Sequence, residues 1–365
     1  MNKMIISNLA YRPLRSLISV FAVAIEVTLI LLIVGFALGT LNDNRTRTKG
    51  TGADVLVRPP GSSNFAAFSS APVSVKLADI LRGMPHVAVV VPAVVQATNK
   101  IELINGVDLA QFEELGGPIH FLAGGPFRGP DDIIVDEYYA AANKVHIGDT
   151  VSALEHSFRV CGIVPQGRGS RTFVQLSTLQ DLTGAEGKAS LFYVKADDPA
   201  NADAVVQEVK SYPGLENYNV MSMEDWLSVM TPKNIPMLAK FIDVVIGIAT
   251  VIGFLVIFQA MYTAVMERTR EIGILKSLGA SKTYIVRVIL RETLVLAVAG
   301  IIAGTLLSFI AAYIIRARIP TTQVQFTLSW ILTAAGIAIV GAMIGALYPA
   351  YKAAQKDPVD ALAYE

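Results

Sequence analysis

The sequence predicts a membrane protein of four transmembrane α-helices, with a large α+β extracytoplasmic domain inserted between the first and second helices. Three observations carry that prediction. The chain is 53% hydrophobic and only 16% charged, more apolar than a soluble globular protein. Its apolar residues are gathered into long runs: Val244–Met266, Thr293–Ile315 and Phe326–Tyr348 hold no charged residue, and Ser16–Leu41 holds only Glu26. A spanning helix needs about 20 such residues, and helices buried in a soluble core rarely run so long without a charge. Finally, the formal net charge of +0 hides a split. Residues 42–239 carry 22 acidic and 16 basic residues, a balance of −6, and the remainder carries 8 and 14, a balance of +6.

In chain order, residues 1–15 read as a cytoplasmic amphipathic helix and 16–41 as the first span. That span is too long for a signal-peptide core, and Gly39-Thr-Leu-Asn is a poor cleavage site, so it reads as a retained anchor. The outer domain occupies 42–239, the second span 240–266, a cytoplasmic loop 267–287 and the third span 288–316. A short outer loop, 317–325, leads to the fourth span, 326–348, and a cytoplasmic tail, 349–365. Orientation follows from where lysine and arginine gather. Lys3, Arg12 and Arg15 precede the first span, Arg268, Arg270, Lys276, Lys282 and Arg287 lie between the second and third, and Lys352 and Lys356 follow the fourth. All three segments are thus placed in the cytoplasm, together with both termini.

Within the outer domain, strands are expected at 53–58, 87–95, 101–107, 132–135, 150–154, 158–164, 172–175 and 191–195. Helices are expected at 75–84, 137–143, 177–182 and 202–212, the first with Val75, Leu77, Ile80, Leu81 and Met84 on one stripe. The order of elements implies an α+β domain of two subdomains. Cys161 is the only cysteine, so no intrachain disulfide supports the fold.

Enzyme chemistry finds no foothold. His86, His120, His146 and His156 lack metal-ligand spacing, and no serine sits in a nucleophile elbow. The pairs Asp131-Asp132 and Asp197-Asp198 read as solvated turn residues beside proline. Gly184–Ser190 lacks the spacing of a phosphate loop, so the chain is expected to bind no ATP, metal or other cofactor itself.

The spans carry three G-x-x-x-G pairs: Gly35 and Gly39, Gly300 and Gly304, Gly341 and Gly345. Small residues let helices approach closely in lipid, so these mark packing within a protomer, between protomers, or both. Glu26 is the one ionisable residue deep inside a span. A proton relay would need a second acid; an interhelical hydrogen bond, with Gln259 as candidate partner, or a buried packing role needs none.

The segment Met266-Glu-Arg-Thr-Arg-Glu-Ile-Gly-Ile-Leu-Lys-Ser-Leu-Gly-Ala-Ser281 is charged, compatible with a helix, and set between two spans. Ile272, Leu275 and Leu278 form a narrow apolar stripe, Gly279 suits a left-handed helix cap, and Ser281 suits the cap of the next helix. Either an amphipathic helix on anionic headgroups or a protein docking surface has these properties.

This segment resembles the loop between the second and third spans of MacB/FtsX-type ABC transporter permeases, which include the lipoprotein-releasing permeases. The tail Tyr348–Leu362 and the opening Asn8–Leu17 are similar to that family's ends. Ile104–Asp108, Gly124–Phe127, Ile133–Glu137, Ile147–Asp149 and Val160–Val164 resemble its MacB-like extracytoplasmic domain. The resemblance implies a non-enzymatic permease subunit of the bacterial inner membrane, working as a dimer with a second permease chain, identical or related. It implies a cytoplasmic ATPase partner that holds ATP and Mg, recruited in trans because this chain begins 15 residues before the membrane. Its coupling contacts would be Glu267, Arg268, Arg270, Glu271, Ile272, Leu275, Lys276, Leu278 and Gly279. Membrane lipids and a periplasmic adaptor are further partners, and no nucleic acid is expected. Two functions are open at this level: export or extraction of a substrate, and FtsX-like mechanotransmission to an extracellular cell-wall hydrolase.

Overall fold

A computed structural model describes residues 13–62, 72–98 and 103–356 of the chain. Lys3, Arg12, most of the expected N-terminal helix and the tail from Asp357 onward lie outside the described residues. The chain divides into two compact units: residues 1–39, 236–317 and 324–365 form one, and residues 40–235 with 318–323 form the other.

The first unit is helical. It is built from α1 (Pro13–Lys49, which runs on into the second unit), α8 (Pro236–Glu267), α9 (Thr269–Ser277), α10 (Lys282–Arg318) and α11 (Leu328–Gln355). Four of these, all but α9, are long and apolar enough to cross a membrane. Glycines set their packing. A Cβ at Gly300 would lie 2.5 Å from the Val23 side chain, and one at Gly304 2.6 Å from the Ala24 carbonyl oxygen, so α10 rests directly on α1. Thr28 Oγ1 donates to the bared Gly304 carbonyl across this seam at 3.0 Å. On α11, a Cβ at Gly345 would sit 3.0 Å from the Phe254 carbonyl of α8, whereas at Gly341 the nearest atom, on Thr250, is 3.7 Å away. A Cβ at Gly35 would lie 2.9 Å from the Phe326 ring, and Gly39 is buried. These contacts lie within one protomer. The outer faces stay apolar and exposed, as in the row Val244, Ile248, Val251, Ile252 and Leu255 of α8.

The second unit is built on one continuous ten-stranded sheet. Its strands are β1 (Val55–Arg58), β3 (Val87–Ala97), β4 (Leu103–Val107), β5 (Ala123–Gly124), β6 (Asp132–Asp136), β7 (Thr150–Ala153), β8 (His156–Val164), β9 (Thr172–Gln175), β11 (Leu191–Ala196) and β12 (Asn219–Ser222). The order is β12-β1-β11-β3-β4-β9-β6-β8-β5, with β7 on β8; β4–β9 and β6–β8 are parallel, and the remaining pairs are antiparallel. A separate two-stranded sheet joins β2 (Val73–Ser74) to β10 (Lys188–Ala189). The helices are α2 (Leu77–Arg82), α3 (Leu109–Gly116), α4 (Glu137–Asn143), α5 (Leu176–Leu182), α6 (Ala202–Ser211) and α7 (Met223–Val229).

Two apolar cores share this sheet. One gathers Val55, Leu81, Phe192, Val205 and Val220, and the other Ile104, Val135, Phe158, Val174 and Leu179. The 87–97 strand crosses from one to the other, its Val90 in the first core and Val94 in the second. Two expectations are corrected. Ile80 is exposed, with Ala78 buried beside Leu77 and Leu81, because α2 is only six residues long and turns a narrower face inward. Asp132 is buried, not solvated: it accepts from the Arg128 and Gly129 N–H groups at 2.6 and 2.9 Å and from the Arg159 guanidinium at 2.8 Å. Burial alone would push its carboxyl up, but those donors outweigh it and hold the pKa below the ordinary aspartate value. Cys161, next door on β8, is half-buried and donates weakly to the Ile133 carbonyl at 3.5 Å. Burial, with the Asp132 charge adding to it, pushes this thiol up to about 11.

One polar cluster gathers distant parts of the chain. Arg171 pairs with Asp43 at the end of α1 (2.9 Å) and with Asp136 (3.1 Å), and donates to the Thr321 carbonyl in the α10–α11 connection (2.9 Å). Asp43 also holds Arg47 at 3.0 Å, and Asp136 caps α4 by accepting from Tyr139 N at 2.6 Å. The Arg171 guanidinium stands 5.6 Å over the Tyr138 ring. Burial raises the Asp136 carboxyl above its ordinary pKa, although the Tyr139 N–H and the Arg171 charge oppose the shift.

Candidate functional site

The charged loop folds as a short helix with a defined beginning and end. α8 stops at Glu267, Arg268 leaves the helical conformation (φ −106°, ψ 17°), and α9 starts at Thr269, whose hydroxyl donates back to the Met266 carbonyl at 2.8 Å. At the other end Gly279 takes φ +96°, open to glycine and strained for other residues. Ala280 N–H donates to the Leu275 carbonyl and Gly279 N–H to the Lys276 carbonyl, each at 3.0 Å, which is a Schellman cap. Ser281 Oγ then accepts from Tyr284 N at 3.2 Å and starts α10. Both expected caps are present.

Two of the predicted contact residues face inward. Arg268 Nη1 lies 3.2 Å from the buried Glu292 carboxylate of α10. Lys276 Nζ donates to the Ala354 carbonyl of α11 at 3.1 Å and also to the Lys356 carbonyl. Their charges brace α9 against its own bundle. Glu267, Arg270, Glu271, Leu278 and Gly279 are exposed, Leu278 at 80%. Ile272 packs against the bundle core and Leu275 is half-buried, so the expected apolar stripe divides. The cause is that α9 ends at Ser277 and Leu278, the cap residue, departs from the helical register. Against α9 lies a half-open pocket of about 320 Å³, lined by Met261, Val265, Ile272, Leu275, Ile285 and Ile289 together with the charged Arg268, Glu271 and Glu292.

Glu26 is buried with its carboxyl seated against Gly253 of α8, and its Oε1 has no hydrogen-bond partner among the described residues. Gln259 is exposed, so it is not the expected partner. Gly253 lies six residues, over one and a half turns, earlier on α8, and it is the missing Cβ there that makes room for the carboxyl. Glu292 was missed in the sequence. It stands just ahead of a charge-free span, and its partner is 24 positions away, beyond any helical spacing.

Comparison with known proteins bears on the whole of this arrangement. Residues 16–212, more than half of the chain, match the family model described as MacB-like periplasmic core domain, and 244–358 match FtsX-like permease C-terminal. The chain belongs to the MacB/FtsX-type ABC transporter permeases. It is a multi-pass membrane protein. The uncharacterized permease YknZ of Bacillus subtilis is 32% identical over 54% of this chain and 50% of its own length. The macrolide export ATP-binding/permease protein MacB of a Shewanella species is 24% identical over 100% of this chain and 60% of its own length. The chain thus spans little more than half of these curated relatives. The crystal structure of the periplasmic region of MacB from Actinobacillus actinomycetemcomitans aligns with 50% of this chain and 93% of that one, at 18% identity and a TM-score of 0.38.

Proposed function

We propose that this MacB/FtsX-type permease is the transmembrane subunit of an export or extraction system of the bacterial inner membrane, driven by a separate cytoplasmic ATPase that docks on α9. The observation that carries the reading is the division of labour on that helix. Arg268 and Lys276 are tied to α10 and α11, while Glu267, Arg270, Glu271 and Leu278 face outward. A helix braced beneath and charged on top transmits force to the spans it is tied to. Nucleotide and Mg belong to the ATPase, since these 365 residues hold no phosphate loop. A second permease chain, identical or related, would complete the dimer, and the outer domain would meet substrate or a periplasmic adaptor. The clustering of lysine and arginine beside the spans supports cytoplasmic termini and a cytoplasmic α9.

The test is a reconstituted complex of the permease with the ATPase that copurifies with it in mild detergent. Replacing Arg270 and Glu271 together with alanine is expected to cut permease-dependent ATPase stimulation by about tenfold, roughly the loss of one or two charged contacts, with membrane insertion unchanged. Wild-type stimulation by the double variant would overturn the docking assignment.

A further inference from the structure

Against α9 the bundle carries a half-open apolar pocket of about 320 Å³, at the lower end of the range for ligand pockets. Water gains little from aliphatic walls, which offer it no hydrogen bonds. Most of the lining is of that kind, from Met261 and Val265 on α8 through Leu275 on α9 to Val288 and Ile289 on α10. Of the polar groups on the wall, Arg268 pairs with Glu292, while Glu271 and Tyr284 are exposed. The pocket therefore suits an apolar occupant.

Charge narrows its identity. Between Glu267 and Glu292 there are six basic residues, Arg268, Arg270, Lys276, Lys282, Arg287 and Arg291, against three acidic ones, of which Glu292 pairs with Arg268. Tyr284 forms the pocket rim at 36% exposure, and Arg287 and Arg291 follow it by three and seven residues, on the same face of α10. An acyl chain in the pocket would leave its headgroup beside exposed Arg287, and basic residues next to a span attract anionic lipid. We propose that the pocket binds one acyl chain of an anionic phospholipid, with its phosphate at Arg287, as a built-in component under α9. This requires only that the helices span a bilayer, and it stands whether or not the docking assignment does.

The test uses the full-length wild-type chain in phosphatidylcholine nanodiscs containing a trace of phosphatidylglycerol with a diazirine in one acyl chain. After irradiation, adducts are mapped by peptide mass spectrometry. Adducts on Met261, Tyr284 and Val288 are expected to exceed those on the lipid-facing row Val244–Leu255 by at least fivefold. The same diazirine on phosphatidylcholine is expected to lose that excess. Val288→Trp, which fills the pocket, should reduce pocket adducts about tenfold while the Val244–Leu255 adducts persist and report an intact fold. Three results would overturn the proposal: adducts spread evenly over the bundle, equal pocket labelling by both headgroups, or an unlabelled pocket, as when a protein side chain closes it.

Discussion

The outer domain and the helical unit solve the same problem, joining segments distant in sequence, by opposite means. In the outer domain the joint at Arg171 is polar and directional: two carboxylates, one carbonyl and one ring converge on one guanidinium. In the helical unit the main joints are places where nothing stands, at Gly300, Gly304 and Gly345. The difference follows from the surroundings. Lipid tails are as apolar as the helices, so association there relies on close contact between backbones. A water-facing domain can bury β-branched strands by the hydrophobic effect and then use buried ion pairs, costly to desolvate, to specify which segments meet.

The sharpest way to break this comparison is Arg171→Ala. It leaves Asp136 buried without its cation and should destabilise the outer domain by about 3–5 kcal/mol. Trp226 lies in the outer domain and Trp330 in the helical unit, so denaturant unfolding followed by Trp226 fluorescence in a Trp330→Phe background reads this domain separately. Because burial raises the Asp136 carboxyl in the folded state, its contribution favours folding at low pH and is lost as pH rises through the raised value. The Arg171→Ala deficit should therefore shrink on acidification, and a deficit independent of pH would remove Asp136 from the explanation.

A somewhat smaller loss, about 1–3 kcal/mol, is expected of Gly304→Leu, whose side chain has no room against α1. Gly336→Leu, which meets nothing within 4 Å, should stay within about 0.5 kcal/mol. Thermal unfolding of both in detergent compares them, and equal losses would mean that the seam is not what the glycine serves. Below Gly304→Leu comes Asp132→Asn, which loses charge-assisted bonds worth about 1–2 kcal/mol at neutral pH. Since this carboxyl is held below the ordinary value of 3.8, its contribution is present above that pH and lost as pH falls below it. The gap between wild type and variant should close there in an acid titration.

What could be read from the sequence was the chemistry of neighbours. Helix α4 runs from Glu137 to Asn143 as expected, its Asp136 cap adjoining it, and the Gly279 and Ser281 caps of the loop were equally local. Apolar runs marked the spans because a bilayer demands length and uninterrupted hydrophobicity of each one separately. Partners across long separations could not be read. Arg171 meets residues 128, 35 and 150 positions away, and Glu292 meets Arg268 from the far side of a turn. The inward use of Arg268 and Lys276 was hidden for the same reason: a basic residue in a charged loop looks alike whether it faces solvent or a carboxylate of its own bundle. Two-residue strands such as β5 and β10 carry too little periodicity to be seen at all.

The state of Cys161 has a practical reach beyond its strand. With its pKa near 11, roughly one thiol in ten thousand is ionised at neutral pH, and only the thiolate attacks maleimides or disulfides. Cys161 is therefore expected to react with alkylating reagents more slowly than an exposed thiol. A cysteine introduced at an exposed position of α9, such as Arg270→Cys, would take up a spectroscopic label selectively in the otherwise native chain, leaving β8 untouched.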